Sequence, residues 1–196
     1  MILSIQQIQL LVDEVYPVIF TDNAIPQSLL CGQIIHESSG DTTAFAKDRN
    51  GGSTGLMQID RDVITAIGFP SDTDLTDPLQ NVKAGFTYMK LLFNGKLHNP
   101  DINNLMDKAM KFAMTLVCYN CGYSNFNMMY KNHLSSNPSD SWNDAIQYNI
   151  SLIDNWSSCL VYPVAVITQA NKYFGFTVDD FAENDILGQV PLFHIE

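Results

Sequence analysis

The sequence predicts a mainly α-helical protein, built from several packed helices and one small loop or β-hairpin. Apolar residues recur at helical spacing in successive segments, and one glycine-rich stretch, residues 41–59, breaks that period. Hydrophobic residues make up 46% and charged residues 16% of the 196 residues, which suffices for a substantial core. Because no linker, repeat or low-complexity block divides the chain, we expect a single domain over 1–196.

Two helices are expected before the glycine-rich stretch. The first spans residues 4–20, and we expect Pro17 to end or bend it, because proline lacks the backbone N–H that a helix interior needs. The second spans residues 26–38, with Pro26 in the first turn, where a proline is tolerated.

The second helix carries a carboxylate on its apolar stripe. Leu30, Ile34 and Glu37 occur at i, i+4 and i+7, so they share one face of the helix. Glu37 therefore extends the apolar face instead of opposing it. A carboxyl group in that position is partly desolvated, which favours its protonated form.

Further helices are expected after the glycine-rich stretch. Apolar stripes and end signals place them at residues 61–68, 78–93, 101–120, 123–133 and 140–156. Residues 160–174 fit either a helix or a strand, and the segment from 175 has few clear signals.

The charge balance disfavours some classes of partner. The formal net charge is −11, from 21 acidic and 10 basic residues, which argues against nucleic acid. No apolar run approaches the roughly 20 residues of a membrane span, so we expect no membrane insertion. The first residues lack a basic region, which predicts synthesis in the cytoplasm without a signal peptide. We expect a monomer.

The cysteines do not indicate a metal site. Cys118 and Cys121 form a lone Cys-x-x-Cys pair, with no second pair or spaced histidines to complete a zinc site. Redox chemistry would need a strand–helix context, which is missing. We expect buried free thiols at these positions and at Cys31 and Cys159, and we predict neither a cofactor nor a metal.

Two further carboxylates flank a compact motif, Gly-Leu-Met-Gln at 55–58. Asp48 and Asp60 are candidates for activating a water, as an inverting glycosidase requires of its second carboxylate. Asp48 could equally be a turn residue, and Asp60 could be the N-cap of the helix that follows. Gln58 offers hydrogen bonds to sugar groups and Met57 an adaptable apolar contact.

Three ordered motifs make a family resemblance specific. Glu37-Ser38, Gly55-Leu56-Met57-Gln58-Ile59 and Tyr119-Asn120-Cys121-Gly122 resemble the motifs of the superfamily of soluble lytic transglycosylases and goose-type lysozymes. The resemblance covers about residues 26–125, and residues 126–196 would form C-terminal helices and a tail. Cys118 and Cys121 stand where the family usually has alanine.

The resemblance implies a lysozyme-like fold and a peptidoglycan glycan strand as substrate. The bond cleaved would be the β-1,4 bond between N-acetylmuramic acid and N-acetylglucosamine, with Glu37 as the catalytic acid. Ser38, Met57 and Gln58 match residues of the cleft, and Tyr119 and Asn120 match the motif on its far side. All five residues are candidates for binding the substrate.

The resemblance leaves the reaction open between two branches. Hydrolysis with inversion would use Asp48 and Asp60 to hold water, and it is the favoured branch. A lytic transglycosylase would need Glu37 alone and would leave 1,6-anhydro ends. A third hypothesis is a non-catalytic glycan-binding or structural phage component. A phage or prophage lysin is the expected context, reaching the wall through a holin, dedicated export or carriage in a virion.

Overall fold

The computed structural model describes residues 1–21, 25–47, 51–97, 108–122 and 156–177, with the backbone alone at 108–110 and 156–160. These residues form six helices and one antiparallel sheet, which confirms the mainly α prediction. In chain order the elements are α1 (Ile5–Ile19), α2 (Gln27–Ser38), β1 (Phe45–Ala46), β2 (Ser53–Thr54), β3 (Ile59–Asp60), α3 (Arg61–Ala66), α4 (Pro78–Phe93), α5 (Lys108–Cys121) and α6 (Trp156–Phe174).

The chain divides into two compact units. The first comprises Met1–Leu91 with Ala165–Asp180, and the second comprises Leu92–Val164 with Phe181–Glu196. The expectation of a single domain stays a prediction. The predicted helix at 123–133 lies outside the described residues, as do residues 140–155 of the predicted helix at 140–156 and the tail from 178.

Helix α1 begins in a reciprocal cap and continues past its proline. The Ser4 hydroxyl accepts from the Gln7 backbone N–H at 3.2 Å, and the Gln7 side-chain oxygen accepts from the Ser4 N–H at 2.9 Å. Pro17 lies inside the helix, which ends at Ile19. Pro17 was expected to end or bend the helix; α1 continues for two residues beyond it, within the predicted range 4–20.

Helix α2 is the central helix of the first unit. Its residues Leu29–Ile34 are all buried, including Gln33, which fits a helix that is packed on every side. A Cβ atom at Gly32 would lie 2.7 Å from the Ala170 Cβ, so α6 approaches α2 very closely there. The predicted stripe is confirmed, since Leu30 and Ile34 are fully buried and Glu37 is half-buried.

The glycine-rich stretch forms two successive hairpins. The strands pair in the order β1-β2-β3, with Phe45 opposite Thr54 and Ser53 opposite Asp60. A loop or a single hairpin had been expected here. Residues 55–58, the Gly-Leu-Met-Gln turn, connect β2 to β3.

The later helices bury the stripes that their sequences predict. Residues Val82, Phe86, Met89 and Phe93 of α4 and Phe112, Ala113 and Leu116 of α5 are all buried. Residues 160–174, for which helix and strand were both open, belong to α6. None of the described helices has the length and hydropathy that a membrane span requires.

Candidate active site

Glu37 lies in the last turn of α2, directly before a sharp reversal of the chain. The Ser38 hydroxyl donates to the Ile34 carbonyl at 3.1 Å and accepts from the Gly40 N–H at 3.2 Å. Ser39 takes a left-handed conformation with φ of 53° and ends the helix. The Ser38 hydroxyl thus takes part in the hydrogen bonds that end the helix. Glu37 lies in the last helical turn and is half-buried.

The segment that follows Glu37 is fixed to the Gly-Leu-Met-Gln turn at one carbonyl group. The Ala44 oxygen accepts from the Gly55 backbone N–H at 2.8 Å and from the Gln58 side-chain nitrogen at 3.1 Å. The Gly-Leu-Met-Gln turn is therefore hydrogen-bonded to the segment that follows Glu37-Ser38. The bonded residues are 11 and 14 positions apart in the sequence.

Gln58 directs its side-chain amide into this turn. Besides Ala44, its Nε2 donates to the Gly55 carbonyl at 2.9 Å, and its Oε1 accepts from the Ser53 hydroxyl at 3.1 Å. Gln58 has a left-handed φ of 46°, which these bonds hold in place. Since both amide hydrogens are engaged, Gln58 is a structural residue here that retains acceptor capacity on Oε1 for a sugar.

Met57 is fully buried beneath the turn. A Cβ atom at Gly85 would lie 2.7 Å from the Met57 Cβ and Cγ, so α4 touches this side chain where it has no side chain of its own. The Met57 side chain, which was expected to contact the substrate, is therefore not exposed on the surface. Met57 instead packs the turn onto α4.

Sequence reasoning missed Asn81, a fully buried residue of α4. Its Oδ1 accepts from the Met57 backbone N–H at 2.7 Å, and its Nδ2 donates to the Thr54 and Leu75 carbonyls at 2.8 and 2.9 Å. The sequence signal that could have identified Asn81 was its place as a polar residue on a stripe at i, i+4, i+7 and i+11. That stripe consists of Asn81, Gly85, Tyr88 and Leu92.

Asp60 ends β3 and directly precedes α3. It is half-buried, and its Oδ1 is shielded from solvent. Although Asp60 occupies the N-cap position, its side chain makes no capping hydrogen bond to the described first turn of α3. The capping interpretation is therefore not realised. Asp48, the other predicted carboxylate, lies outside the described residues.

Tyr119 and Asn120 occupy the last turn of α5, within the second unit. Tyr119 is half-buried and Asn120 is exposed, and Gly122, with φ of 78°, follows the helix end. Cys118 is buried and Cys121 is half-buried, and neither forms a disulfide; the Cys121 Sγ donates weakly to the Gly122 carbonyl.

Two further observations bear on the site's chemistry. His36, next to Glu37, is exposed, yet partial desolvation lowers its pKa below the ordinary value of 6.5. Within the described ranges, no three His, Cys, Asp or Glu side chains gather in a group that could hold a metal ion.

Comparison with known proteins identifies the family. The family model described as "Transglycosylase SLT domain" matches residues 20–143, which is more than half of the chain. A search of the curated proteins found no match. The matched range contains all three motifs, from Glu37 to Gly122. The chain therefore belongs to the SLT transglycosylase domain family, a family of glycosidase-type enzymes that cleave peptidoglycan.

Proposed function

We propose that Glu37 is the general acid of a muramidase that cleaves the β-1,4 bond between N-acetylmuramic acid and N-acetylglucosamine. The observation that carries the proposal is the placement of Glu37 within the matched domain. It stands half-buried at the end of an apolar stripe, and the chain beyond it is hydrogen-bonded to the Gly-Leu-Met-Gln turn through Ala44.

The acid has one task in the first step. As the glycosidic bond breaks, Glu37 donates its proton to the leaving oxygen of N-acetylglucosamine, and positive charge develops at C1 of the muramoyl sugar. The bonding electrons leave with that oxygen, which becomes a hydroxyl group. Glu37 is then a carboxylate, which must regain a proton before the next turnover.

Hydrolysis with inversion is the first candidate for the second half of the reaction. A water attacks C1 from the opposite face and loses a proton to a carboxylate, which leaves a reducing end. Asp60 supports this candidate, because it is half-buried two residues after the Gly-Leu-Met-Gln turn. Asp48 is the second proposed water-holding residue.

Transglycosylation is the second candidate, and the description of the matched family favours it. Here the 6-hydroxyl of the muramoyl sugar attacks its own C1 and loses its proton to the Glu37 carboxylate. The product is a 1,6-anhydro end, no water is consumed, and Glu37 is returned to its protonated form. This route needs neither Asp48 nor Asp60.

The acid assignment is tested with Glu37→Gln on purified peptidoglycan, measured as release of soluble muropeptides. Loss of general acid catalysis lowers a rate by roughly 10²–10⁴-fold, so we expect a fall in that range. Glu14→Gln, an exposed glutamate of α1, is the matched control and should keep wild-type activity. Equal activity of Glu37→Gln and wild type would refute the assignment.

Mass spectrometry of the released fragments separates the two routes. Reducing ends with a strong loss of activity in Asp60→Asn indicate hydrolysis, and anhydro ends with Asp60→Asn near wild type indicate transglycosylation. Asp62→Asn removes an exposed carboxylate two residues away and serves as the control. Binding to peptidoglycan without any soluble product would indicate the non-catalytic alternative.

A further inference from the structure

A pocket of about 540 Å³ lies in the first unit, beside the last turn of α2. Ile35, His36 and Ser39 line it from α2, and the last turns of α6 line it from the other side. Ile35 lies about half a helical turn from Glu37 along α2. Glu37 is not among the residues that line the pocket, so the pocket is distinct from the candidate catalytic residue.

The packing of α2 against α6 explains why a pocket forms at this point. At Gly32 the two helices are in close contact, since a Cβ atom there would lie 2.7 Å from the Ala170 backbone nitrogen. One turn further along α2, His36 takes the equivalent position, and the space beside it is the pocket. Gly32 thus allows α2 and α6 to pack closely, and His36, one turn later, lines the pocket.

The polar groups that line the pocket include one that can only donate, the Lys172 ammonium, and several that can donate or accept. They are the side chains of Lys172, Gln169, His36, Ser39 and Tyr173, together with Ser4. The described lining residues include no aspartate or glutamate, in a chain with 21 acidic and 10 basic residues. Such a lining suits a ligand with acceptor oxygens and a negative charge.

Lys172 supplies the charge of the pocket at neutral pH. Its Nζ lies 4.7 Å from the centre of the Tyr173 ring, a cation–π contact between two residues of the lining. Partial desolvation lowers the pKa of His36, which disfavours a second positive charge in the lining. One positive charge, with no aspartate or glutamate among the described lining residues, matches a single carboxylate on the ligand.

The lining also has an apolar part. Leu3, Ile5 and Ile35 belong to it, and these side chains offer a surface for a methyl group or another small apolar side chain. The volume is within the usual range for small-molecule sites, roughly 300–1,000 Å³. A ligand that fits both parts has a small apolar body and a free carboxylate.

We propose that this pocket binds a short peptide through its free carboxylate, with an alanine-like side chain against the apolar part of the lining. The carboxylate recognition stands on the pocket alone. The choice of a peptide rests on the peptidoglycan substrate, whose glycan strands carry short peptides with alanine and free carboxyl groups. The occupant is therefore such a peptide, either still attached to the glycan or released from it.

The test is a calorimetric titration of the full chain with the dipeptide L-alanyl-γ-D-glutamate. We expect binding to wild type and to Glu37→Gln with equal affinity, so that the outcome is independent of the catalytic proposal. Hydrogen bonds to charged groups contribute enough for Lys172→Met to weaken binding about tenfold or more. Lys96→Met removes the same charge from an exposed position outside the pocket and should leave the affinity unchanged.

Three further ligands define what the pocket recognises. The fully amidated dipeptide should not bind, because it lacks the carboxylate. N,N′-diacetylchitobiose, a neutral sugar, should not compete with the dipeptide. A disaccharide that carries the same dipeptide distinguishes the sources, since tighter binding than the free dipeptide points to the peptide attached to the glycan and equal binding to the released one.

The proposal is overturned by any of four results. These are no binding of the dipeptide, unchanged affinity in Lys172→Met, equal binding of the amidated dipeptide, or displacement of the dipeptide by the neutral sugar. Gln169→Leu is an independent check, because it removes one donor from the same lining and should weaken binding several-fold without changing the charge.

Discussion

The side-chain oxygen of Asn81 lies 2.7 Å from the backbone nitrogen of Met57 and accepts its hydrogen bond. The same amide donates to two carbonyl groups, those of Thr54 and Leu75. One buried side chain of α4 therefore fixes the end of β2, the Gly-Leu-Met-Gln turn and the segment before α4. Any role of that turn in binding glycan depends on a residue that need not touch the glycan.

Replacement of Asn81 by leucine should destabilise the protein and impair cleavage together. The change leaves one N–H and two carbonyl groups without their described partner, and an unsatisfied buried group costs about 1–3 kcal/mol. We expect a loss of about 3 kcal/mol or more in the free energy of unfolding, measured by urea denaturation. Gln80→Leu, at the exposed neighbouring position, should change it little. Similar stabilities for the two variants would show that the Asn81 contacts contribute little.

Gly51, which precedes β2, and Gly55, which follows it, separate the effect of steric exclusion from that of backbone strain. Both have a positive φ, 81° and 115°, which side chains rarely adopt. A Cβ atom at Gly55 would lie 2.3 Å from the Asn81 Nδ2 and from the Leu75 oxygen, whereas one at Gly51 would meet no described heavy atom within 4 Å.

We therefore expect Gly55→Ala to abolish cleavage and to destabilise the fold strongly, because it breaks contacts and overpacks the turn. Gly51→Ala should cost only the backbone strain, of order 1–3 kcal/mol. Thermal unfolding and peptidoglycan release measure both effects. If the two variants behaved alike, the close approach of Asn81 to Gly55 would not matter to the fold.

Local patterns predicted the helices well. The stripes of α4 and α5, the end of α2 after Glu37 and the non-helical stretch at 41–59 all depend on neighbours within a few residues. The motifs also located the family, since Glu37, the Gly-Leu-Met-Gln turn and Tyr119 occur in order along the chain. Features that depend on the local sequence of a helix or a turn could therefore be predicted.

Contacts between residues far apart in the sequence could not be predicted from the sequence. Gln58 was expected to offer its amide to sugars, but its hydrogens are used by Ala44, 14 residues earlier, and by Gly55. Asn81 bonds Met57 across 24 residues. Residue type alone does not reveal whether a polar side chain faces a ligand or its own backbone.

Gln58→Glu should destabilise the turn at neutral pH. The substitution replaces two N–H donors by a carboxylate oxygen that faces the carbonyl groups of Ala44 and Gly55, so that two hydrogen bonds are exchanged for repulsion. We expect about 2 kcal/mol or more in the free energy of unfolding, together with a loss of cleavage. Gln80→Glu adds the same charge at an exposed position and is the control. Full stability of Gln58→Glu would contradict the structural role of this amide.

Acid should remove the contribution of two exposed aspartates in the loops. The Asp41 carboxylate accepts from the backbone N–H and hydroxyl of Thr43, and Asp74 accepts in the same way from Thr76. These hydrogen bonds lower the pKa of both carboxyl groups below the ordinary value of 3.8. Since the pKa is lower in the folded state, the stabilisation is complete above about 3.8 and is lost as the pH falls through the folded-state values.

The double variant Asp41→Asn with Asp74→Asn keeps the acceptor oxygens and removes the charges. We expect it to be less stable than wild type at pH 7, by a small amount because both groups are exposed to solvent. The gap should close as the pH falls below 3.8, measured as urea midpoints between pH 7 and pH 2. Asp62→Asn with Asp72→Asn removes two exposed charges elsewhere and controls for net charge. A gap that stayed constant down to pH 2 would show that these hydrogen bonds do not distinguish the charged carboxylates from neutral acceptors.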